Sequence, residues 1–431
     1  MGHLPYPPYY DPGPAYNPVG PSQYQIISAV ATGSIVPNTP VYGAPSCGSL
    51  ECDVFSFDRN IKTPYMENYN INFQQQLFSK GILQVSYVGS QGHRLWRFFD
   101  LNQPNAQTIN QVDAAVGLQD FGVAARPFGG YCESGNPYCA YYVMQENSSG
   151  KSNYNAIQAS FRIMGWHGVT SILNYAWSKS LDNSSDGEDF EPNAAQPQDS
   201  TNQGAEYGPS NFNVPRRLSW VFGYDIPKMS GGMPKLKNGW GINSTVTVQT
   251  GQPFQFNYNC EDDFSGGGEC YDRPDVVGPI VQNNHNPAQF MALSSFAIPC
   301  TVDPSVTVAG GVASDCQIGT RHYGNLGRDS LRGPNFRQWD FAIYKNTPVT
   351  ERLGAQFRAD FFNLPNHPNF ANPFLPAFIA DPAVNGFALA GTREVGQGFY
   401  PITATGDVGI GNPFLGGGGP RGIQLALKFT F

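Results

Sequence analysis

Apolar and polar residues alternate strictly in nine separate stretches of the chain. The last stretch, RGIQLALKFTF at 421–431, places Ile423, Leu425, Leu427, Phe429 and Phe431 on one face, with small, polar or charged residues between them. Successive side chains of a strand point to opposite faces, so this pattern predicts a β-strand with one apolar face. The other eight stretches are YNINFQQQL (69–77), ILQVSYVGS (82–90), IQASFRI (157–163), VTSILNYAW (169–177), LSWVFGYDI (218–226), WGINSTVTVQ (240–249), WDFAI (339–343) and RLGAQFRADF (352–361).

The connections between these predicted strands alternate between short and long. The short ones are 79–81, 164–168, 227–239 and 346–351, and the long ones are 90–154, 179–216, 250–336 and 362–421. Loops of that length count against a compact soluble fold, whereas an outer-membrane barrel combines short periplasmic turns with long extracellular loops. Most stretches also approach the roughly 9–11 residues that a tilted strand needs to cross a bilayer.

The predicted fold class is therefore all-β: part of an antiparallel transmembrane β-barrel, with about nine or ten C-terminal strands. Residues 61–431 are assigned to the barrel and residues 1–60 to a loop-like segment rich in Pro and Tyr. A further strand is predicted at 22–31 (SQYQIISAVA), because single-chain bacterial barrels have even strand numbers. A soluble secreted β-sandwich is the weaker interpretation, since one continuous aromatic and aliphatic face suits lipid.

Composition narrows the classes of function. Only 13% of the residues are charged, against roughly 25% in average soluble domains. No apolar run approaches the ~18 residues of a membrane helix, so strands must make any membrane crossing. The net charge of −8 argues against a nucleic-acid partner. Motifs such as H-E-x-x-H and G-x-S-x-G are missing from the sequence, so we predict no catalytic residue, cofactor or metal and no enzyme activity.

The eight cysteines form four local pairs along the sequence. These are Cys47 with Cys52, Cys132 with Cys139, Cys260 with Cys270, and Cys300 with Cys316. An even number of loop cysteines indicates disulfides made in an oxidising compartment, and free buried thiols are the alternative. The pairing among the last four stays open, since four cysteines allow three pairings. No cysteine lies in a predicted strand or short turn, which agrees with extracellular long loops.

Charged and aromatic side chains supply the remaining candidate sites. Asp340, Arg352, Arg358 and Asp360 are predicted to face the lumen, and a turn at 346–351 places Asp340 opposite Arg358, or opposite Gln356 after a slip. A structural ion pair in the wall is favoured over a substrate role, because lumen faces are generally polar. The acidic run DNSSDGEDFEPN (182–193) has EF-hand-like early spacing without the bidentate Glu, so it is interpreted as a solvated loop. Aromatic residues interpreted as membrane-interface girdles are Tyr69, Tyr87, Trp177, Trp220, Trp240 and Trp339.

Seven segments together resemble the barrel of a known receptor family. They are NYNINFQQQLFSKGILQVSYVGSQGHRL, SNYNAIQASFRI, NYAWSKSLDNSS, NVPRRLSWVFGYDIP, TGQPFQF, GNLGRDSLRGPNFRQWDFAIYKN and FRADFFNLPNHPNF. They resemble the Oar-like TonB-dependent outer-membrane receptors that are typical of Acidobacteria, over about residues 60 to 431. The resemblance implies a transporter with a plugged barrel of about 22 strands, in which the plug and the TonB-contacting segment precede the barrel.

The chain departs from the family pattern, because it contains neither the plug, nor the TonB-contacting segment, nor the amino-terminal β-sandwich. We therefore expect a fragment: the C-terminal part of such a receptor, located in the cell outer membrane, with TonB as a partner only through amino-terminal parts missing from this chain. The expected function is uptake of a bulky nutrient, for example a peptide or a glycan. The alternative is a surface adhesion barrel that binds a partner through disulfide-stapled loops.

The resemblance also assigns a role to the last strand. Its alternating apolar residues and terminal aromatic resemble the signal that the barrel assembly machinery of the outer membrane recognises, here Leu425, Leu427, Phe429 and Phe431. The expected partners are therefore outer-membrane lipid on the apolar face and the assembly machinery at the carboxyl terminus.

Overall fold

The computed structural model describes residues 52–116, 125–128, 140–185, 197–255, 272–283, 286–301, 316–317, 319–370, 399–400, 402 and 420–431. Ten strands of at least six residues occur there. They are β1 (Cys52–Phe57), β2 (Tyr65–Phe78), β3 (Gly81–Asp100), β4 (Ala140–Trp166), β5 (Val169–Asp182), β6 (Arg216–Asp225), β7 (Trp240–Gln249), β8 (Phe336–Pro348), β9 (Gly354–Phe362) and β10 (Gly422–Thr430).

Smaller elements lie in the connections. The α-helices are α1 (Ala106–Val116) and the single turn α2 (Pro234–Lys237), and the 3-10 turns are Gln203–Glu206, Pro287–Gln289 and Leu293–Ser295. Two-residue strands are Gly208–Pro209, Pro253–Phe254, Asp275–Val276, Met291–Ala292, Phe296–Ala297, Leu331–Arg332 and Phe399–Tyr400. Within the described parts of the chain, none of the helices is both long enough and apolar enough to cross a membrane.

Strands β2 to β10 form one antiparallel sheet in which every strand pairs with its neighbour in the sequence. These nine strands are the nine predicted ones, and their connections alternate between short and long as predicted. The sheet is open: β2 and β10 are its two edges, and no described residues pair them with each other. The prediction of a partial antiparallel barrel is thus confirmed.

The predicted long connection 90–154 is wrong in extent. β3 continues to Asp100 and β4 begins at Ala140, and the two strands remain paired through two register shifts. Only about 9–11 residues are needed to cross a bilayer, so the rest of this ribbon extends beyond it on the side of the long connections, called here the loop side. There β1 pairs with β4 in parallel, with Phe57 opposite Glu146.

The strand β1 also corrects the assignment of Cys52 to a loop, because Cys52 is the first residue of that strand. Its parallel pairing depends on the long extension of β4, which local alternation in the segment 52–57 does not reveal. The predicted strand at 22–31 lies outside the described residues.

The register of the β8–β9 hairpin corrects a second prediction. Tyr344, not Asp340, lies opposite Arg358, and Ala342 lies opposite Asp360. The reason is the position of the turn: the amides of Val349 and Thr350 donate to the carbonyl oxygen of Leu353 at 2.8 and 3.0 Å. The turn is therefore 349–353 rather than 346–351, which moves the strands by an even number of residues and leaves the faces unchanged.

Arg352 also differs from its predicted position on a lumen-facing strand, because the turn lies later in the sequence than predicted. It lies in the turn of the β8–β9 hairpin and is exposed, so it does not belong to the strand face on which it was predicted. Asp340, Arg358 and Asp360 do share one face of the sheet.

Among the described residues, an apolar core is built by the long connections. It contains Phe254, Phe290, Met291, Leu293, Phe296, Ile298, Cys300, Cys316, Leu326, Leu331 and Ile402. Cys300 and Cys316 form a disulfide within it, with their Cα atoms 5.7 Å apart. This local pair from the sequence is thus joined in the structure. The loop that the disulfide closes reduces the conformational entropy of the unfolded chain. Of Cys52 only the backbone is described, and the other five cysteines lie outside the described residues.

Cysteine cross-linking can test the corrected register. We expect the double variant Tyr344→Cys/Arg358→Cys to form a disulfide, because these residues are directly opposite on one face. The matched pair Asp340→Cys/Arg358→Cys should stay reduced. Mass spectrometry of cross-linked peptides from mildly oxidised membranes distinguishes the two, and cross-linking of the second pair alone would contradict the register.

Candidate functional site

The two faces of the sheet differ in chemistry. The outer face carries apolar side chains that no part of the described protein covers, among them Ile71, Phe73, Leu425 and Leu427, each at least 60% exposed. Other large exposed side chains of this face are Tyr69, Leu77, Val85, Tyr87, Ile157, Tyr175, Trp177, Trp220, Val248, Trp339, Phe357, Ile423 and Phe429. A patch of this size is far beyond what soluble monomers expose, whereas it fits contact with lipid.

The opposite face, called here the inner wall, is polar. A concavity of about 380 Å³ on it is lined by amide, hydroxyl and guanidinium groups. The polar residues that line it are Gln84, Ser86, Gln158, Ser160, Arg162, Asn174, Arg217 and Ser219. These groups offer both hydrogen-bond donors and acceptors, so the wall can bind polar ligands or polar protein segments.

The predicted charges of the inner wall form local contacts rather than a bridge between strands. Arg358 donates from Nε to Asp360 Oδ1 at 2.7 Å, two residues along the same strand. Asp340 accepts from Gln338 Nε2 at 2.9 and 3.1 Å and from the amide of Asn363 at 2.8 Å. An ion pair therefore exists in the wall, but its partners are not the predicted ones.

On the loop side, the long connections are joined by buried ionic contacts into a unit called here the loop cap, made of the described residues that follow β3, β5 and β7 up to the next long strand. Arg328 lies at its centre. It forms an ion pair with Asp182 at the end of β5 and donates from Nη1 to Asp329 Oδ2 at 3.1 Å. It also donates from Nε to the carbonyl oxygen of Glu206 at 2.8 Å and from Nη1 to Ser185 Oγ at 3.0 Å.

A second arginine completes the network. Arg273 binds Glu206 in a bidentate pair, with N–O distances of 2.8 and 2.7 Å, and both side chains are almost fully buried. Arg97 of β3 is also buried. Burial lowers the pKa of its guanidinium group to about 10, but this value is still well above 7, so the group is protonated at neutral pH. Because separating a buried ion pair leaves an uncompensated charge, the pairs made by Arg328 and Arg273 hold the connections after β5 and β7 together.

Neutral hydrogen bonds connect the same segments. Gln198 accepts from the amide of Arg273 at 3.0 Å and donates to the carbonyl oxygen of Gly324 at 2.7 Å. Asn110 of α1 donates to the carbonyl oxygen of Arg321 and accepts from its amide, at 2.9 and 3.1 Å. The connections after β3, β5 and β7 are therefore one hydrogen-bonded body.

The charge network was not predicted from the sequence. Asp182 was assigned to a solvated acidic loop, but its side chain is buried against Arg328, while residues 186–193 of that run lie outside the described part. A sequence signal existed in the adjacent charges of Arg328 and Asp329. Asp182 and Glu206, which Arg328 contacts, are more than a hundred residues away in the sequence, so no local pattern identifies them. In the described part of the chain, no cluster of three His, Cys, Asp or Glu residues could hold a metal.

A family model described as an outer membrane beta barrel domain matches residues 6–390. No curated protein matches the chain.

Solved structures with some similarity to the chain include three outer-membrane proteins. The outer membrane transporter YddB from Escherichia coli gives a TM-score of 0.36 at 12% identity, over 74% of this chain and 31% of that one. FpvA of P. aeruginosa bound to heterologous pyoverdines gives 0.34 at 10% identity, over 86% and 27%. The FrpB iron transporter from Neisseria meningitidis gives 0.35 at 8% identity, over 88% and 33%. The chain thus spans a third or less of the length of each.

Removing the central arginine should loosen the loop cap. In Arg328→Ala, Asp182 and Asp329 lose their cation while buried, and we expect the free energy of unfolding to fall by about 3–5 kcal/mol. The matched control is Arg358→Ala, whose side chain is 43% exposed and whose loss should cost about 1 kcal/mol or less. Denaturant unfolding measures both, and equal losses would contradict a central role for Arg328.

The pH dependence of stability can identify the contribution of Asp329. Burial raises the pKa of this carboxyl from 3.8 to about 7, and Asp182 and Glu206 add to the rise, while Arg328 and Arg273 oppose it. The folded protein therefore retains a proton that the unfolded chain releases, so this contribution to stability falls as the pH rises from about 4 to about 7.

The variant Asp329→Asn removes this titration. Asn also tolerates the left-handed backbone at this position, where φ is 50°. We expect the free energy of unfolding of the variant, relative to the unsubstituted protein, to increase across that pH range and to level off above it. A difference that stays constant between pH 4 and pH 8 would show that Asp329 ionises normally.

Proposed function

Because the chain belongs to the outer membrane beta barrel domain family, we propose that it is the barrel segment of a TonB-dependent receptor that imports a bulky nutrient. Its location is the outer membrane. In this proposal the plug, the TonB-contacting segment and the remaining strands belong to parts of the receptor other than this chain. The Oar-like character of the seven motifs is part of the same proposal.

One observation carries the proposal: an open sheet with an apolar outer face and a polar inner wall. Both edge strands, β2 and β10, have unpaired backbone groups on one side within the described residues. Such groups are very costly in lipid, so further strands must pair with both edges. A sheet of nine strands that needs still more strands supports a wide barrel, and wide barrels enclose a lumen that can pass large solutes.

The chemistry of the inner wall supports a polar substrate. Amide and hydroxyl groups predominate, and the two arginines of the concavity, Arg162 and Arg217, add cationic donors. Peptides and glycans present many carbonyl, hydroxyl and carboxylate groups that these side chains can bind. In this proposal the loop cap provides the surface that such a substrate meets first.

Uptake by cells tests the function. We expect deletion of the gene to abolish accumulation of fluorescent oligopeptides or oligosaccharides that are too large for porins. In complemented cells a protonophore should have the same effect, because TonB-dependent import requires the proton-motive force. Normal accumulation in the deletion strain, together with lost attachment to a surface or partner cell, would instead support the adhesion alternative.

The last strand supplies a separate test of assembly. We propose that Leu425, Leu427, Phe429 and Phe431 form the signal for the barrel assembly machinery. Phe431 is 95% exposed, so its replacement by Ser removes no internal packing. We expect Phe431→Ser to lower the outer-membrane yield several-fold, measured by membrane fractionation.

The matched control for assembly is Phe399→Ser, which changes another exposed aromatic residue in a connection. Its yield should equal that of the unsubstituted protein. Equal yields for both variants would remove the assigned role of Phe431.

A further inference from the structure

Four exposed cations lie on the outer face of the sheet or at its loop-side margin, next to the apolar band. They are Lys179, Arg216, Arg337 and Arg421, called here the cation arc. The described residues supply no ion-pair partner to any of them. Within the part of the chain that the structure describes, the arc is therefore a strip of unpaired positive charge.

The strand pairing places the cations beside lipid-facing residues. Arg216 lies directly opposite Trp177, and Lys179 follows Trp177 by two residues on the same face. Arg337 lies opposite Val248, which is opposite Leu218. Arg421 precedes the exposed Ile423 by two residues. Each cation thus borders the apolar band on its loop side.

The arc follows the direction of a membrane plane. From β5 to β10 the cations shift towards the short turns by about one residue per strand. Strands of a membrane barrel tilt by roughly 35–45°, so with strands about 4.8 Å apart a horizontal line crosses successive strands with a shift of about one residue. The cations therefore lie at nearly one height.

Neighbouring tryptophans indicate which height this is. Trp177 and Trp339 are 56% and 42% exposed on the outer face, each two residues closer to the short turns than Lys179 and Arg337. Exposed Trp residues of barrels lie at the level of the lipid headgroups. Lys179 and Arg337 each lie two residues further towards the loop side than these tryptophans. This places them at the level of the charged parts of the lipid headgroups on the loop side.

The backbone at three of these positions is held by a neighbouring side chain. The amides of Arg216, Arg337 and Arg421 donate to Thr250 Oγ1, Asn369 Oδ1 and Asn366 Oδ1, at 3.2, 2.9 and 3.0 Å. The point from which each charged side chain starts is thereby held in place, which reduces the conformational freedom lost when an anion binds.

We propose that the cation arc binds the phosphate groups of a phosphorylated glycolipid in the outer leaflet. The charges, their common height and their continuity with the lipid-facing band match a lipid headgroup, and ammonium and guanidinium groups both bind phosphate. The inference depends on the outer-membrane location and not on transport.

The test uses the assembled barrel that contains this chain, purified whole from outer membranes and placed in bilayer discs. One set of discs contains lipid A with both phosphates, and the other contains lipid A from which the phosphates have been removed. We expect a melting temperature several degrees higher in the phosphorylated discs, and a smaller difference at high ionic strength because salt screens exposed charges.

The variant Lys179→Gln/Arg216→Gln/Arg337→Gln should lose this difference. The matched control Lys228→Gln/Lys235→Gln/Lys237→Gln removes three exposed charges from the connection between β6 and β7, on the opposite side, and should retain it. The charge-conserving variant Lys179→Arg/Arg216→Lys/Arg337→Lys should also retain it, which separates charge from folding.

Three results would overturn the proposal. The first is an equal melting temperature of the unsubstituted protein in both discs. The second is an unchanged difference in the test variant, or an equal loss in the control. The third is a rise of the same size produced by inorganic phosphate in phosphate-free discs, which would indicate an ion site and not a lipid site.

Discussion

Satisfaction of backbone hydrogen bonds in lipid is the constraint on which the structure depends. A membrane-crossing strand must pair on both sides, because hydrocarbon supplies no water to its amide and carbonyl groups. Strands β2 to β10 meet this condition through sequential antiparallel pairing, and only the outer edges of β2 and β10 remain unpaired among the described residues. The apolar outer face, the polar inner wall and the need for further strands all follow from this constraint.

The contacts of the charged side chains differ between the loop side, the inner wall and the outer face of the sheet. On the loop side, where strands extend beyond the bilayer, charges are buried in pairs around Arg328 and Arg273 and hold the connections together. On the inner wall, Arg358 and Asp360 pair in a partly exposed position, which contributes little stability. On the outer face, the cation arc has no ion-pair partner among the described residues, and in our proposal a lipid anion binds there.

Alternation predicted the strands well and their register poorly. All nine long strands could be located because each must present one apolar and one polar face, a local property of consecutive residues. The pairing of Asp340 with Arg358 was wrong because register depends on the turn, and the hydrogen bonds to Leu353 that place it two residues later leave the alternation unchanged. Trp177 and Trp339 are exposed on the outer face, and their role in a membrane-interface girdle stays a prediction.

The sequence by itself determined the fold class, the number of long strands, the sidedness of the connections and the two faces of the sheet, because period-two alternation is read within a few residues. Only the tertiary structure decided the loop cap, the extension of β3 and β4, and the pairing of β1. Arg328, in the connection after β7, contacts Asp182 at the end of β5 and Glu206 in the connection after β5, both more than a hundred residues away in the sequence. Ion pairs of that kind follow from how the chain folds back on itself, and no local pattern encodes the partner.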